Sequence, residues 1–379
     1  MKIVFPLDVE GLDESTINNL MSIGNSISKI KESSLNIFFV LSCVGVVVNI
    51  FHLFILTRKS MVNNSIHVMM IGISVCDLLL MSLGVYGHFD FLLRNNDECS
   101  PPQSYVYKLF EFWRKALQDH SRRVSAWYGV MMALMRLLIV KFVLNPKFDI
   151  LSKPLFSYIF MSVAFIVSSG MTLYFWVCFE YITMEIWNPP KQCTGFPPNF
   201  SMPRYKSSLE DISLIKHRAD LLIFVFIDGF FKIIPAIMFP IITFLLIKQL
   251  RAANSKRRQI SQRNGSENSN ATDQTTKLVT LMAVTFIAAE LPNGTIYIIQ
   301  VVMSDYAAIV KIGFGLIDIL AIFVALNATI HCLICLTVSS HYRKTVKDVF
   351  KCCRKNSITK IEPTVPGKSF TMVKQKAME

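Results

Sequence analysis

Charge is the scarce ingredient of this chain. Asp, Glu, Lys and Arg together account for 17% of its 379 residues and apolar types for 52%, which is far more apolar surface than a soluble fold can cover. A soluble domain is thereby excluded, and the chain reads as a polytopic membrane protein. Acids are scarcer still, 26 against 39 bases, for a net charge of +13. That excess is not read as a nucleic-acid footprint, because the bases gather at one membrane face, where they orient the chain and meet lipid headgroups. Also missing is a signal peptide. Met1-Lys-Ile-Val-Phe-Pro leads into Asp8 with no apolar core of the needed length, so the first span is expected to act as its own anchor. No metal or cofactor is expected: Cys332-Leu-Ile-Cys335 has a ligand-like spacing, but within an apolar span two small fillers are the plainer reading.

Long apolar runs are what the chain does have. A helix needs roughly 20 such residues to cross about 30 Å of hydrocarbon, and seven stretches qualify: Ile37 to Leu56, Ile66 to Leu93, Lys108 to Lys141, Leu155 to Phe179, Leu221 to Ile247, Leu278 to Val302 and Ile312 to Val338. The expected fold is an all-α membrane protein, a seven-transmembrane helix bundle. An odd count puts the termini on opposite sides. Basic loops mark the cytoplasmic face, with Arg58 and Lys59 after the first span, Lys147 and Lys153 after the third, and Lys248, Arg251, Lys256, Arg257, Arg258 and Arg263 after the fifth. The acidic N-terminus is then extracellular and the basic C-terminus cytoplasmic. Three parts are expected: an extracellular segment 1–33, the seven-span domain 34–350 and a cytoplasmic tail 351–379. After the last span, Tyr342, Val346, Val349 and Phe350 share one face of a helix whose other face is basic, which reads as a cytoplasmic amphipathic helix lying on membrane lipid. Cys352 and Cys353 follow it and are candidate palmitoylation sites by position.

Of the nine cysteines, Cys99 and Cys193 fall in two outer loops, where a disulfide between them would restrain an otherwise loose surface; Cys178, at the outer end of the fourth span, is the competing partner. Among the Asn-x-Ser/Thr sequons, topology leaves only Asn199-Phe-Ser201, in the second outer loop, as a candidate for a glycan.

Polar residues inside the spans need partners, because hydrocarbon supplies none. Asn49, Asp77 and Asn327 contribute one polar side chain each to the first, second and seventh spans, and an interior hydrogen-bonded cluster serving as a sodium- and water-linked switch is expected; helix-to-helix glue is the plainer alternative. The third span is the most polar, with Gln118, Asp119, His120, Arg122 and Arg123 ahead of an apolar stretch ending near Arg136. Asp119 stands one turn from both arginines and can pair with one of them. The other is left over. Glu290, inside the sixth span and two residues before Pro292, is its natural counterion, and we expect an Arg122 to Glu290 bridge; snorkelling of both arginines to water is the alternative. Arg136 has Met135 before it instead of an acid. Pro235 and Pro240 in the fifth span and Pro292 in the sixth each remove a helical hydrogen bond, so the inner ends of those helices are expected to swing.

With Arg122-Arg-Val-Ser-Ala-Trp127, Ala133-Leu-Met-Arg136, the paired prolines of Ile234-Pro-Ala-Ile-Met-Phe-Pro, the Thr276 to Pro292 segment and Ser340-His-Tyr-Arg-Lys-Thr345 together, the chain resembles the rhodopsin-like G-protein-coupled receptors and, more narrowly, the nematode serpentine chemoreceptor class w, which is similar to FMRFamide-type peptide receptors. The resemblance implies a plasma-membrane receptor, not an enzyme, for an extracellular peptide or small-molecule ligand, with a heterotrimeric G protein and arrestin as partners. It implies that Asn49 and Asp77 are the polar pair of helices one and two and Arg136 the arginine of the Asp-Arg-Tyr motif. Pro240 or Pro235 is then the helix-five proline, Phe286 and Pro292 the phenylalanine and proline of helix six, and Asn327 the asparagine of Asn-Pro-x-x-Tyr. The departures are Met135 and Leu137 around Arg136, Glu290 in place of the toggle tryptophan, Ala328 and His331 in place of the helix-seven proline and tyrosine, and Glu111 where helix three usually carries its cysteine. Gln118, Asp119, Arg122, Arg123, Asp228, Glu290 and Asp318 are the candidates to line a polar ligand cavity. Coupling is expected at Asn49, Asp77, Arg136, Pro240, Phe286, Pro292, Asn327 and His331. The rival reading is a transporter or ion channel that uses the intramembrane charges as a path, against which the chain shows no inverted repeat.

Overall fold

A computed structural model describes residues 13–93, 99–142, 145–178, 181–207, 218–261 and 270–358. Helix α1 covers Glu14–Leu56, capped by Asp13, whose carboxylate accepts from the Thr16 backbone N–H at 3.3 Å. At about 1.5 Å per residue it is twice as long as the hydrocarbon is thick. Its first half is largely exposed and rich in polar residues, so a search for apolar runs passes over it; Lys31 pairs with Asp318 at 2.6 Å, and Gly24 and Ser34 are buried. The expected boundary at residue 33 thus falls inside one continuous helix.

The single turn α2, Lys59–Val62, leads into α3, Ser65–Leu93, and α4, Tyr105–Lys141, begins at Ser104, whose hydroxyl accepts from the Tyr107 N–H at 3.2 Å. A 3-10 turn over Pro146–Ser152, started by Asn145 and a proline that has no N–H to leave unpaired, precedes α5, Pro154–Cys178. Two antiparallel strands, β1 (Tyr181–Trp187) and β2 (Met202–Ser207), pair from Tyr181 opposite Ser207 to Trp187 opposite Met202. The sequence was expected to leave this stretch as a long loop. It folds back instead, and between the strands Trp187, Phe196 and Phe200 pack with ring centroids 5.2 to 6.4 Å apart. Then come α6, Arg218–Ser261, with Pro235 and Pro240 inside it; α7, Asn270–Val302, with Pro292 inside it; α8, Ala307–Val338; and α9, Ser340–Ile358.

Six of these helices (α1, α3, α4, α5, α6 and α8) are long and apolar enough to cross a membrane on the described residues. The 33-residue α7 packs along both α6 and α8 and completes the seven-transmembrane bundle. Contacts run in a closed ring, α1 to α3 to α4 to α6 to α7 to α8 and back to α1, with α5 set outside against α3 and α4. At one end, Cys99 and Cys193 form a disulfide with their Cα atoms 5.4 Å apart, tying the approach to α4 to the β1–β2 hairpin. At the other end, α8 breaks at Ser339 and α9 turns back, its Tyr342 fully buried with its hydroxyl 2.9 Å from His52 Nδ1 of α1. That anchor, joined by Val346 and Val349, accounts for the amphipathic pattern read in the sequence.

Candidate functional site

Six ionisable side chains meet where α4, α6 and α7 cross. Arg122 of α4 holds Glu290 of α7 with two parallel hydrogen bonds, Nε to Oε1 and Nη2 to Oε2, each 3.0 Å. Arg123 pairs with Asp228 of α6 and, at 3.3 Å, with Asp119 one turn back on its own helix. Lys232 of α6 pairs with Asp228 and reaches Asp119 at 3.1 Å, while its ammonium stands 3.8 Å from the centre of the Tyr297 ring of α7. Three acids face three bases, so the cluster carries no net charge. Two charged partners and the Ser168 and Thr172 hydroxyls of α5, 3.3 and 2.8 Å away, satisfy the Arg123 guanidinium. Such saturation is what lets charges lie buried.

The local cause is spacing. Asp119 and Arg123, and likewise Asp228 and Lys232, stand four residues apart and share a helical face. Glycines then bring α6 and α7 close. A Cβ on Gly294 would stand 2.6 Å from Ile233 Cγ1 and 3.0 Å from the Gly229 carbonyl oxygen, so the two backbones touch one turn from the ion pairs.

The remaining ligand candidates lie elsewhere. Gln118 accepts from Arg114 at 3.2 Å; Arg114 also holds Glu111 and the Leu83 carbonyl and leans on Gly87. Asp318, paired with Lys31 and about two-fifths exposed, belongs to the contact between α1 and α8. Burial of Arg122 and Arg123 removes the snorkelling alternative: their side chains are 10% and 2% exposed. Of the two arginines one turn from Asp119, Arg123 takes it.

Toward the α9 end the polar residues divide. Asp77 accepts from Ser125 at 2.8 Å and has His331 Nδ1 at 2.9 Å, joining α3 to α4 and α8. Asn49 donates to the carbonyls of Gly45 and Ala328 at 2.9 and 3.3 Å, and Asn327 accepts from Thr285 at 3.1 Å. Asn49, Asp77 and Asn327 were expected to form one water-linked cluster. These three do not bond to one another, because the His331 imidazole fills the place beside Asp77 and Asn327 faces α7. An internal cavity of about 90 Å³ runs past Asp77, Asn327 and His331, with Arg122 and Glu290 at one limit and Arg136 and Tyr342 at the other. Its walls are mostly apolar with several polar groups set among them, and it has room for more than one water. Arg136 lines it and, among the described residues, has no ion-pair partner. Phe286 packs on Phe239 of α6 with ring centroids 4.9 Å apart, next to Pro240. Pro292 lies two residues beyond Glu290 in α7.

Asn199 is exposed, with a left-handed backbone (φ 63°) between β1 and β2. Cys352 and Cys353 lie on the α9 backbone, but their side chains fall outside the described residues. Sequence reading missed Lys232, Tyr297, Ser125 and the His52–Tyr342 contact. Lys232 carried a usable signal, since a base four residues after Asp228 inside an apolar run is as costly to bury as Glu290.

Six helices in a closed ring with α5 set against it, a disulfide-tied hairpin at one end and a docked helix at the other form the frame into which known families can be compared. A comparison with curated proteins returns no match. The family model described as serpentine type 7TM GPCR chemoreceptor Srw matches residues 36–353, from the start of the lipid-spanning part of α1 into α9. That match takes in the whole helical ring and both ends of the cavity, and the chain therefore belongs to the Srw family of seven-transmembrane chemoreceptors, multi-pass receptors of the plasma membrane.

Proposed function

We propose that this receptor takes its ligand at the disulfide end and activates a heterotrimeric G protein at the α9 end, with the Arg122–Glu290 pair as the latch between them. The ligand end is extracellular and the α9 end cytoplasmic, in keeping with the basic loops after the first, third and fifth spans. One observation carries the reading. The charged network crosses the bundle between α4, α6 and α7, and Glu290 and Arg122 cap the inner cavity from its far side. A ligand that loosens the network releases α7 and α6 from α4, and the helical hydrogen bonds lost at Pro235, Pro240 and Pro292 ease bending on the cavity side. Arg136, with no acid to hold it among the described residues, is then the group offered to the G protein.

A neuropeptide of the FMRFamide-like kind is favoured over a small chemosensory cue by the hairpin and the charged approach to it. The protein performs no catalysis of its own. Against the transporter or channel alternative stands the network's neutrality: six saturated charges form a barrier, with no open file of like-charged sites for an ion to follow. The discriminating experiment records second-messenger output and membrane current from the same cells during application of short amidated peptides. Output that requires the G protein and no receptor-dependent current is expected. Current or solute flux that persists without a G protein would sink the proposal.

A further inference from the structure

Resting on the receptor reading above, we infer that the ligand docks through a cationic group, an ammonium or guanidinium, on the carboxylate of Asp119. The argument begins with exposure. Asp119 keeps 31% of its side chain accessible, whereas Arg123, Lys232 and Asp228 keep 2% each and Glu290 5%. Asp119 also stands one turn nearer the start of α4 than Arg123 and is not among the residues lining the inner cavity. Within the cluster, an approach from the disulfide end therefore meets this acid first.

Redundancy is the second strand. Both bases that hold Asp119 are also held by the buried Asp228. Asp119 can therefore change partners without leaving Arg123 or Lys232 uncompensated, whereas Glu290 could not leave Arg122 without stranding a buried charge. Asp119 is the one acid in the cluster free to be shared with a newcomer. An anionic ligand would have to pass this carboxylate before reaching Arg123 or Lys232, at a cost in like-charge repulsion.

The third strand is what the exchange does. With a ligand cation on Asp119, Arg123 and Lys232 are left to share Asp228 alone, and the neutral cluster gains one positive charge. Lys232 lies over Tyr297 of α7, and Arg122 lies beside Arg123 on α4. The added charge repels Arg122 and Lys232 across the contact that holds α4 to α6 and α7, so docking at Asp119 weakens the latch without touching Glu290.

The test uses the full-length receptor in lipid nanodiscs and three mixtures of short amidated peptides: one with Arg and Lys, one neutral, one with Asp and Glu. Thermal unfolding is followed as each mixture is titrated. Only the basic mixture is expected to raise the midpoint, with the concentration needed rising roughly 10-fold or more in Asp119→Asn and staying near wild type in Asp119→Glu. Equal stabilisation by the neutral or acidic mixture, an unchanged titration in Asp119→Asn, or no stabilisation by any mixture overturns the inference. Its fate separates from that of the receptor reading. Stabilisation by basic peptides with no second-messenger output sinks G-protein coupling and leaves the docking site standing; output driven by acidic peptides does the reverse.

Discussion

The two halves of α4 treat charge in opposite ways. From Tyr105 to Arg123 the helix carries Arg114, Asp119, Arg122 and Arg123, and each is paired with a named acid or base on α4, α6 or α7. From Val124 to Lys141 the interior cation is Arg136, and it has no counterion among the described residues. The first half is built to hold still until something competes for its acids. The second leaves a cation facing the inner cavity, available to a partner. The difference separates charges that stabilise a state from a charge that reads it out.

The comparison breaks most visibly at Glu290. Replacing it with Ala strands Arg122, and a buried pair that loses one partner typically costs about 3 to 5 kcal/mol, so the unfolding midpoint of the purified receptor should fall sharply. Exchanging the two, Arg122→Glu with Glu290→Arg, should recover part of that loss, and failure to recover either surface expression or response would remove the latch. Next is the disulfide. Cys99→Ser frees the hairpin and is expected to cost about 2 to 5 kcal/mol, seen as a lower midpoint that reductant no longer changes. Gly294→Ala places a methyl group against Ile233 and the Gly229 carbonyl, an overpacking of about 1 to 3 kcal/mol; it should raise ligand-free signalling by spreading α6 from α7, and an unaltered basal output would show that this contact is no pivot. His331→Ala removes a neighbour of Asp77 at a cost of about 1 to 3 kcal/mol, read as a lower midpoint with ligand affinity retained. Smallest on stability is Arg136→Ala, expected at about 1 kcal/mol because packing of its stem is lost but no pair is broken, while second-messenger output falls to background. A large drop in stability there would mean that Arg136 has a partner and that the two halves of α4 do not differ.

Much of this was legible before any coordinates. Apolar runs marked every membrane helix, since crossing hydrocarbon demands them, and the cost of a lone acid beside Pro292 led from Glu290 to Arg122. Compartment favoured Cys99 and Cys193 but left Cys178 as a competing partner, and the disulfide joins the favoured pair. What stayed hidden has physical causes. The first half of α1 meets α8 near Gly315 and Asp318 but is otherwise largely exposed and polar, so no apolar run marked it as helix. Lys232 showed half of its pairing in the sequence, since Asp228 stands four residues before it, but its second partner, Asp119, is on another helix, a distance no spacing rule reports. The Gly229–Gly294 contact was invisible for the same reason, since a glycine shows its purpose only when its neighbour is known. His331 was noted as a departure, but that its ring would stand at Asp77 depended on how α8 is rotated.

The clasp between the first and last membrane helices limits which parts of the receptor can move. From Lys31 on Asp318, through Asn49 on the Ala328 carbonyl, to His52 on Tyr342 just past the end of α8, α1 grips its neighbour at three depths. A shift of one helix along the other would have to undo all three grips in the same instant, so the pair travels as a single stator. The rotor is left to be α6 and α7. Distance probes placed on α1 and α8 should hold their separation on activation while probes on α6 and α4 drift apart.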